Sequence, residues 1–384
     1  MAGNLTASTS LPDNHVAVKQ AHLLGLDTVR AFAALSVMFA HILDPRLPNI
    51  LHGLGVNQEL ANLSKYIFTG HPAVIVFFVV SGFCIHYPYT RRPLPVVAFT
   101  VARWTRIMIP ALSALLLAKL LHLYGLDYFF DTPNYNFIDG FILWSIVCEL
   151  WYYSLYPFFL LLSRKVSFGV QFAVAFVVSI AAVAFLGSDQ YGNATVYGPW
   201  LNWLIALPSW LLGCLLANRV SSEPAPRQCG KLGIICWRAS VALTASCLYW
   251  LTLNTPVGYY LTMNTFALLV YFWLYAEINS RKNAGSIFER VGKWSYSIYL
   301  FHILWLTCIT KLFFLSGFLR IQNYLWITIP IILWLCYLVY KYVEKPSHEL
   351  ARKLFGKYKH QFHGMTVAQF KARPPVPSTV EIGR

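Results

Sequence analysis

Ten stretches of about twenty mostly apolar residues recur along the chain, and about twenty residues is what an α-helix needs to cross a bilayer. They lie at residues 26–43, 72–88, 107–124, 138–162, 168–187, 200–217, 233–252, 259–278, 294–313 and 324–342. Only 12% of the 384 residues are charged and the mean hydropathy is +0.54. Soluble domains carry about 25% charged residues, so an aqueous fold is excluded. The expected class is all-α: a polytopic membrane bundle of about ten transmembrane helices. Residues 1–22 are polar and are expected to be a disordered cytoplasmic N-terminus. No basic n-region with a cleavage site precedes the first span, which is therefore expected to be retained. Residues 23–346 form the transmembrane domain, and residues 347–384 a basic cytoplasmic tail.

The formal net charge of +15 is a topology signal. With the N-terminus inside, the inner connections hold Arg91, Arg92, Arg103, Arg106, Arg164, Lys165, Arg219, Arg227, Lys231, Arg281, Lys282, Arg290 and Lys293, and the tail adds more. The outer connections hold Arg46, Lys65, Lys311 and Arg320. That bias predicts cytoplasmic termini under the positive-inside rule. It argues against nucleic acid as a partner, and leaves anionic membrane lipid as a secondary one, most of all for the tail. The eight cysteines fall mostly within apolar stretches, without paired CxxC spacing. They are expected to be small core residues, with neither a disulfide framework nor a metal site.

Ionisable residues inside the spans carry the chemistry, because a charge placed there costs about 2.5–3.5 kcal/mol on insertion scales and normally faces a polar cavity. The first span holds Asp27, Arg30 and His41. At ~100° per residue the eleven steps from Arg30 to His41 leave them about 20° apart on one face, about 16 Å along the axis. Asp27, three residues before Arg30, belongs to the same side. The fourth span places Glu149 near its middle, with Ser145 and Tyr153 at four-residue spacing. This carboxylate either pairs structurally with Arg30 or serves a site; Asp139, at the outer start of that span, reads as interfacial. In the ninth span His302 is about mid-depth, where a lone histidine is more often a hydrogen-bonded core residue. Arg103 and Arg106 sit one turn apart at the inner mouth of the third span. Such a pair either anchors the helix or grips phosphate bidentately. Ser81-Gly82 ends an apolar run; a lone glycine there is usually packing, although it also permits close backbone approach. Pro346 is expected to end the last helix, with Glu344 at the inner rim as a cap or salt-bridge partner.

Taken together these stretches resemble the membrane-bound acyltransferase 3 family, which O-acylates glycans and some small molecules. The resemblance runs through Leu26-Asp27-x-x-Arg30-Ala31 and His41, then Phe78-Val79-Val80-Ser81-Gly82-Phe83 and Arg103-x-x-Arg106. It continues with Leu143-Trp144-Ser145, Glu149, Tyr153 and Pro157, then residues 295–302, and ends at Glu344-Lys345-Pro346. Where the family usually has a second acidic residue after Glu149, this chain has Leu150. Some relatives append an extracytoplasmic hydrolase-like domain; with about forty residues after the last span, no two-enzyme relay is expected here.

The resemblance implies an acyl-CoA-dependent O-acyltransferase of the bacterial inner membrane, with acyl-CoA, in the first instance acetyl-CoA, as co-substrate and no resident cofactor. Arg103 and Arg106, with Ser81 and Gly82, would bind the donor. His41 would be general base or acyl carrier, Arg30 would steady the donor or the oxyanion, and Asp27 would hold Arg30. Glu149 and His302 would line the same cavity. The acceptor would be an extracytoplasmic or membrane-linked carbohydrate, and polysaccharide assembly machinery a further partner. A proton-coupled carrier of a polar or anionic solute is the rival class. No duplication of Gly/Pro-broken helices between the two halves supports it.

Overall fold

The computed structural model describes residues 14–43, 46–126, 143–186, 198–223, 229–255, 257–280, 287–315, 325–362 and 365–367. Asp139 therefore lies outside the described residues. Among those described, nine helical stretches are long and apolar enough to cross a membrane. The principal helices are α1 (Asn14–Leu43), α4 (Gly70–His86), α5 (Val96–Leu123), α6 (Leu143–Leu162), α7 (Phe168–Leu186), α8 (Gly198–Ser222), α9 (Lys231–Asn254) and α10 (Tyr259–Ile278). They are followed by α12 (Ser295–Leu315), α13 (Leu325–Val339) and α14 (Lys345–Gln361), and the short helices are α2 (Leu47–Gly53), α3 (Gln58–Leu63) and α11 (Ile287–Gly292).

One long helix, α12, is not among the nine. It is 21 residues long and carries Ser295, Ser297, His302 and Thr307, all 0% exposed. Polar side chains of that kind require neighbouring helices, because lipid offers them no partner. α12 accordingly packs against α1, α5 and α13.

Three boundaries differ from the sequence reading. α1 starts at Asn14, twelve residues before the apolar stretch. α5 starts at Val96, eleven residues before the apolar stretch, because Pro95 opens it and Ala98 and Phe99 give its first turns a buried face. Arg103 and Arg106 are therefore set within a helix rather than at its entrance. The third difference is Pro346, which does not end the helix. A π-turn over Tyr340–Glu344 connects α13 to α14, and Pro346 falls in the first turn of α14. A proline's missing N–H is tolerated in a first turn, and the wider π-turn absorbs the lost bond.

α14 packs along α5, and a two-residue sheet pairs Leu94 with Val367 and Pro95 with Thr366. Part of the basic segment after the last span is thus helical, and Thr366 and Val367 fasten it at the start of α5. At the centre of the bundle α4 crosses α8 at two glycines. A Cβ on Gly213 would stand 2.1 Å from the Val79 carbonyl oxygen and 2.9 Å from the Gly82 Cα. Small residues at such crossings let two backbones touch. This contact is where Gly82 is used, so its neighbour Ser81 is turned to the interior.

Candidate active site

The interior side chains of α6 follow the spacing read in the sequence. Ser145, Glu149 and Tyr153 recur every fourth residue and all line one cavity of about 300 Å³. Ser145 shares a hydrogen bond of 2.8 Å with the Tyr299 hydroxyl of α12. Tyr153 and Ser81 share one of 3.1 Å, and the hydroxyls of both lie against the Glu149 carboxylate. Arg30, Arg103 and Arg106 line the same cavity from α1 and α5. Arg103 also stands over the Phe99 ring, 5.8 Å from its centroid. Gly82, expected beside Ser81 at the donor, is not among the described residues lining this cavity.

Arg30 Nη1 is 3.6 Å from Asp27 Oδ1. The Asp27 backbone is in turn held by α11, where a Cβ on Gly292 would approach the Asp27 carbonyl oxygen to 1.9 Å. Only glycine fits there, and the contact fixes the height of the Asp27–Arg30 pair.

Sequence reasoning undervalued Glu344. It is 0% exposed and lines the cavity; Oε2 accepts from the Ser297 N–H at 3.1 Å and from the Ser297 hydroxyl at 2.6 Å. Oε1 has no hydrogen-bond partner among the described residues, with His348 Nε2 at 3.7 Å. His348, another lining residue not foreseen, comes from α14. The available signal was the acidic residue directly before Lys345-Pro346, since a carboxylate set at a helix disruption is free to turn inward.

His41 and His302 meet. His41 Nδ1 is 2.9 Å from His302 Nε2, and the rings are 5.0 Å apart. The protons in this contact are determined by the backbone. His302 Nδ1–H donates to the Ile298 carbonyl at 2.7 Å, so His302 Nε2 carries a lone pair. It must accept from His41 Nδ1–H, and the Val37 carbonyl draws the same ring. The lone pair of neutral His41 is left on Nε2. Neither histidine is among the residues lining the cavity. Arg30 lines the cavity while His41 lies eleven residues further along α1, about 16 Å by helix rise. Tyr299, three residues before His302 on α12, lines the cavity and packs against Phe77, with ring centroids 5.6 Å apart.

These elements define an integral membrane protein with an arginine-rich cavity and a histidine pair joined by one helix. The model of the acyltransferase domain matches residues 23–341, and the chain belongs to the acyltransferase 3 family. It is therefore an acyl-transferring membrane enzyme by family. No curated protein and no solved structure matches it.

Proposed function

We propose that the protein transfers an acyl group, in the first instance acetyl, from cytoplasmic acyl-CoA to a hydroxyl of an extracytoplasmic or membrane-linked carbohydrate. The observation that carries this reading is the Ile298–His302–His41 chain of hydrogen bonds. It presents a neutral imidazole with its basic nitrogen defined, on the same helix as an arginine of the arginine-lined cavity. His41 is the general base that takes the acceptor hydroxyl proton as the oxygen attacks the thioester carbonyl. The proton rests on Nε2, and the resulting imidazolium is steadied through Nδ1–H by His302. As the thioester C–S bond breaks, CoA departs as its thiol with that proton, and His41 returns to its neutral form. Direct transfer needs no further group; a covalent acyl-His41 would use the same nitrogen.

Arg30 is assigned to the donor. About 16 Å of helix separates it from His41, too far for one guanidinium to stabilise an oxyanion beside that imidazole. Asp27 holds the guanidinium, and Glu149 with Ser81 and Tyr153 forms the opposite polar wall. The thioester would reach His41 by extension of the donor's pantetheine arm past Tyr299. In this orientation the end bearing Arg103, Arg106 and α14 is cytoplasmic, in a bacterial inner membrane.

The test is transfer in reconstituted vesicles carrying labelled acetyl-CoA inside, with acceptor glycan outside. Ester-linked label on the glycan supports the enzyme. Acceptor crossing unmodified supports a carrier, a class that family membership disfavours. Comparison of surface glycans with and without the gene, read for a missing ester, would identify the acceptor.

A further inference from the structure

A second cavity, of about 410 Å³, adjoins the first; Arg103, Arg106 and His348 line both. Beyond those three it is lined by Arg352 and Phe355 of α14, by Phe99 at the start of α5 and by Tyr89 in the 3-10 turn that follows α4. The two cavities differ in charge. The inner one sets Glu149 and Glu344 against Arg30, Arg103 and Arg106. The outer one has three arginines and no carboxylate among its described lining residues. A site of that composition suits a ligand with several negative charges and a flat aromatic portion, since guanidinium forks grip phosphate and rings stack on aromatic faces. The inner cavity, nearly balanced, suits a neutral amide-bearing chain. Glu344 Oε1, on a fully buried residue and with no hydrogen-bond partner among the described residues, can accept an N–H from such a chain.

Resting on the donor assignment above, we propose that this outer cavity seats the phosphorylated nucleotide of the donor. Arg352 is then a specificity residue that distinguishes a nucleotide-bearing thioester from a truncated one. Arg352 lies beyond residues 23–341, outside the part of the chain that defines the family. It is positioned by the packing of α14 on α5 and by the Leu94–Val367 pairing. An anionic lipid headgroup offers the same phosphate chemistry, so the experiment must tell the two apart.

The measurement uses the full chain in nanodiscs of zwitterionic lipid, with acetyl-CoA, acetyl-pantetheine and adenosine 3′,5′-bisphosphate as probes. Arg352→Gln should raise the KM for acetyl-CoA about tenfold, as loss of one charge-assisted contact would. It should leave kcat within about twofold and weaken adenosine bisphosphate binding in parallel. The KM for acetyl-pantetheine should not move, and Arg352→Lys should recover part of the loss. Lys353→Gln, an exposed charge next in sequence, serves as the control for non-specific electrostatics. An unchanged acetyl-CoA KM in Arg352→Gln overturns the inference, as does an equal rise for acetyl-pantetheine or for Lys353→Gln. In a parallel arm, retention of phosphatidylglycerol by the detergent-solubilised protein is compared between wild type and Arg352→Gln; a loss there with donor kinetics intact also overturns the inference. If the wild type binds neither acetyl-CoA nor adenosine bisphosphate, the donor assignment itself fails and takes this inference with it.

Discussion

Histidine 41 and histidine 302 are joined by a contact whose proton direction is set by a main-chain carbonyl rather than by a carboxylate. The pair predicts unequal consequences. His41→Ala should lower transfer by about 10²–10⁴-fold, the range for loss of a general base. His302→Ala should cost less, because it removes only the acceptor for His41 Nδ1–H. His302→Gln, which restores an oxygen at that place, should recover activity relative to alanine. Initial-rate assays at matched amounts of folded protein check the order; equal losses for all three would remove the positioning role. Glu277 provides the contrast for a buried acid without such a role. Its carboxylate takes Arg238 at 2.6 Å and Trp273 at 3.1 Å, a local pairing between α9 and α10. Glu344 keeps one oxygen uncommitted beside a cavity, and that difference separates a strut from a binding group.

At the scale of elements, the crossing of α4 and α8 is the most tightly specified contact described. Gly213→Ala would push a methyl into the Val79 carbonyl, and overpacking of this kind costs about 1–3 kcal/mol. A lowered midpoint of thermal unfolding in detergent is the expected result; an unchanged midpoint would mean the helices separate without cost. The periodicity of α6 was legible in the sequence, because Ser145, Glu149 and Tyr153 repeat at the helical interval and nothing competes with it. The path of the chain after α13 was not legible. A proline after a glutamate reads as a stop, and whether a π-turn can carry the helix past it depends on Ser297 waiting to receive Glu344. The shared face of Arg30 and His41 was readable as an angle. That they attend different compartments was not, since Tyr299 and Phe77, which pack against one another at the head of the cavity, come from two distant segments.

For the whole molecule, the proposed orientation, which rests on the positive-inside bias, puts the end bearing the arginine-lined cavities in the cytoplasm. Leu54, 76% exposed at the end of α2, belongs to the opposite end, and Lys357 of α14 to the basic one. Leu54→Cys should gain a membrane-impermeant maleimide label in intact cells above the wild-type background. Lys357→Cys should gain it only after permeabilisation. The reverse pattern would invert the assignment of donor and acceptor sides. Chain order alone would have put α14 outside the working part of the molecule, because it follows the last span. Its contribution became visible only once the fold laid it along α5.

The π-turn at Tyr340–Glu344 sets the phase of everything that follows it. Deleting one residue there would turn α14 by about 100° about its own axis while leaving every spanning segment intact. His348 and Arg352 would then swing away from Arg103 and Arg106, and donor use should collapse although the protein still inserts. A single extra backbone unit acts as the indexing pin between a membrane bundle and the helix that follows its last span.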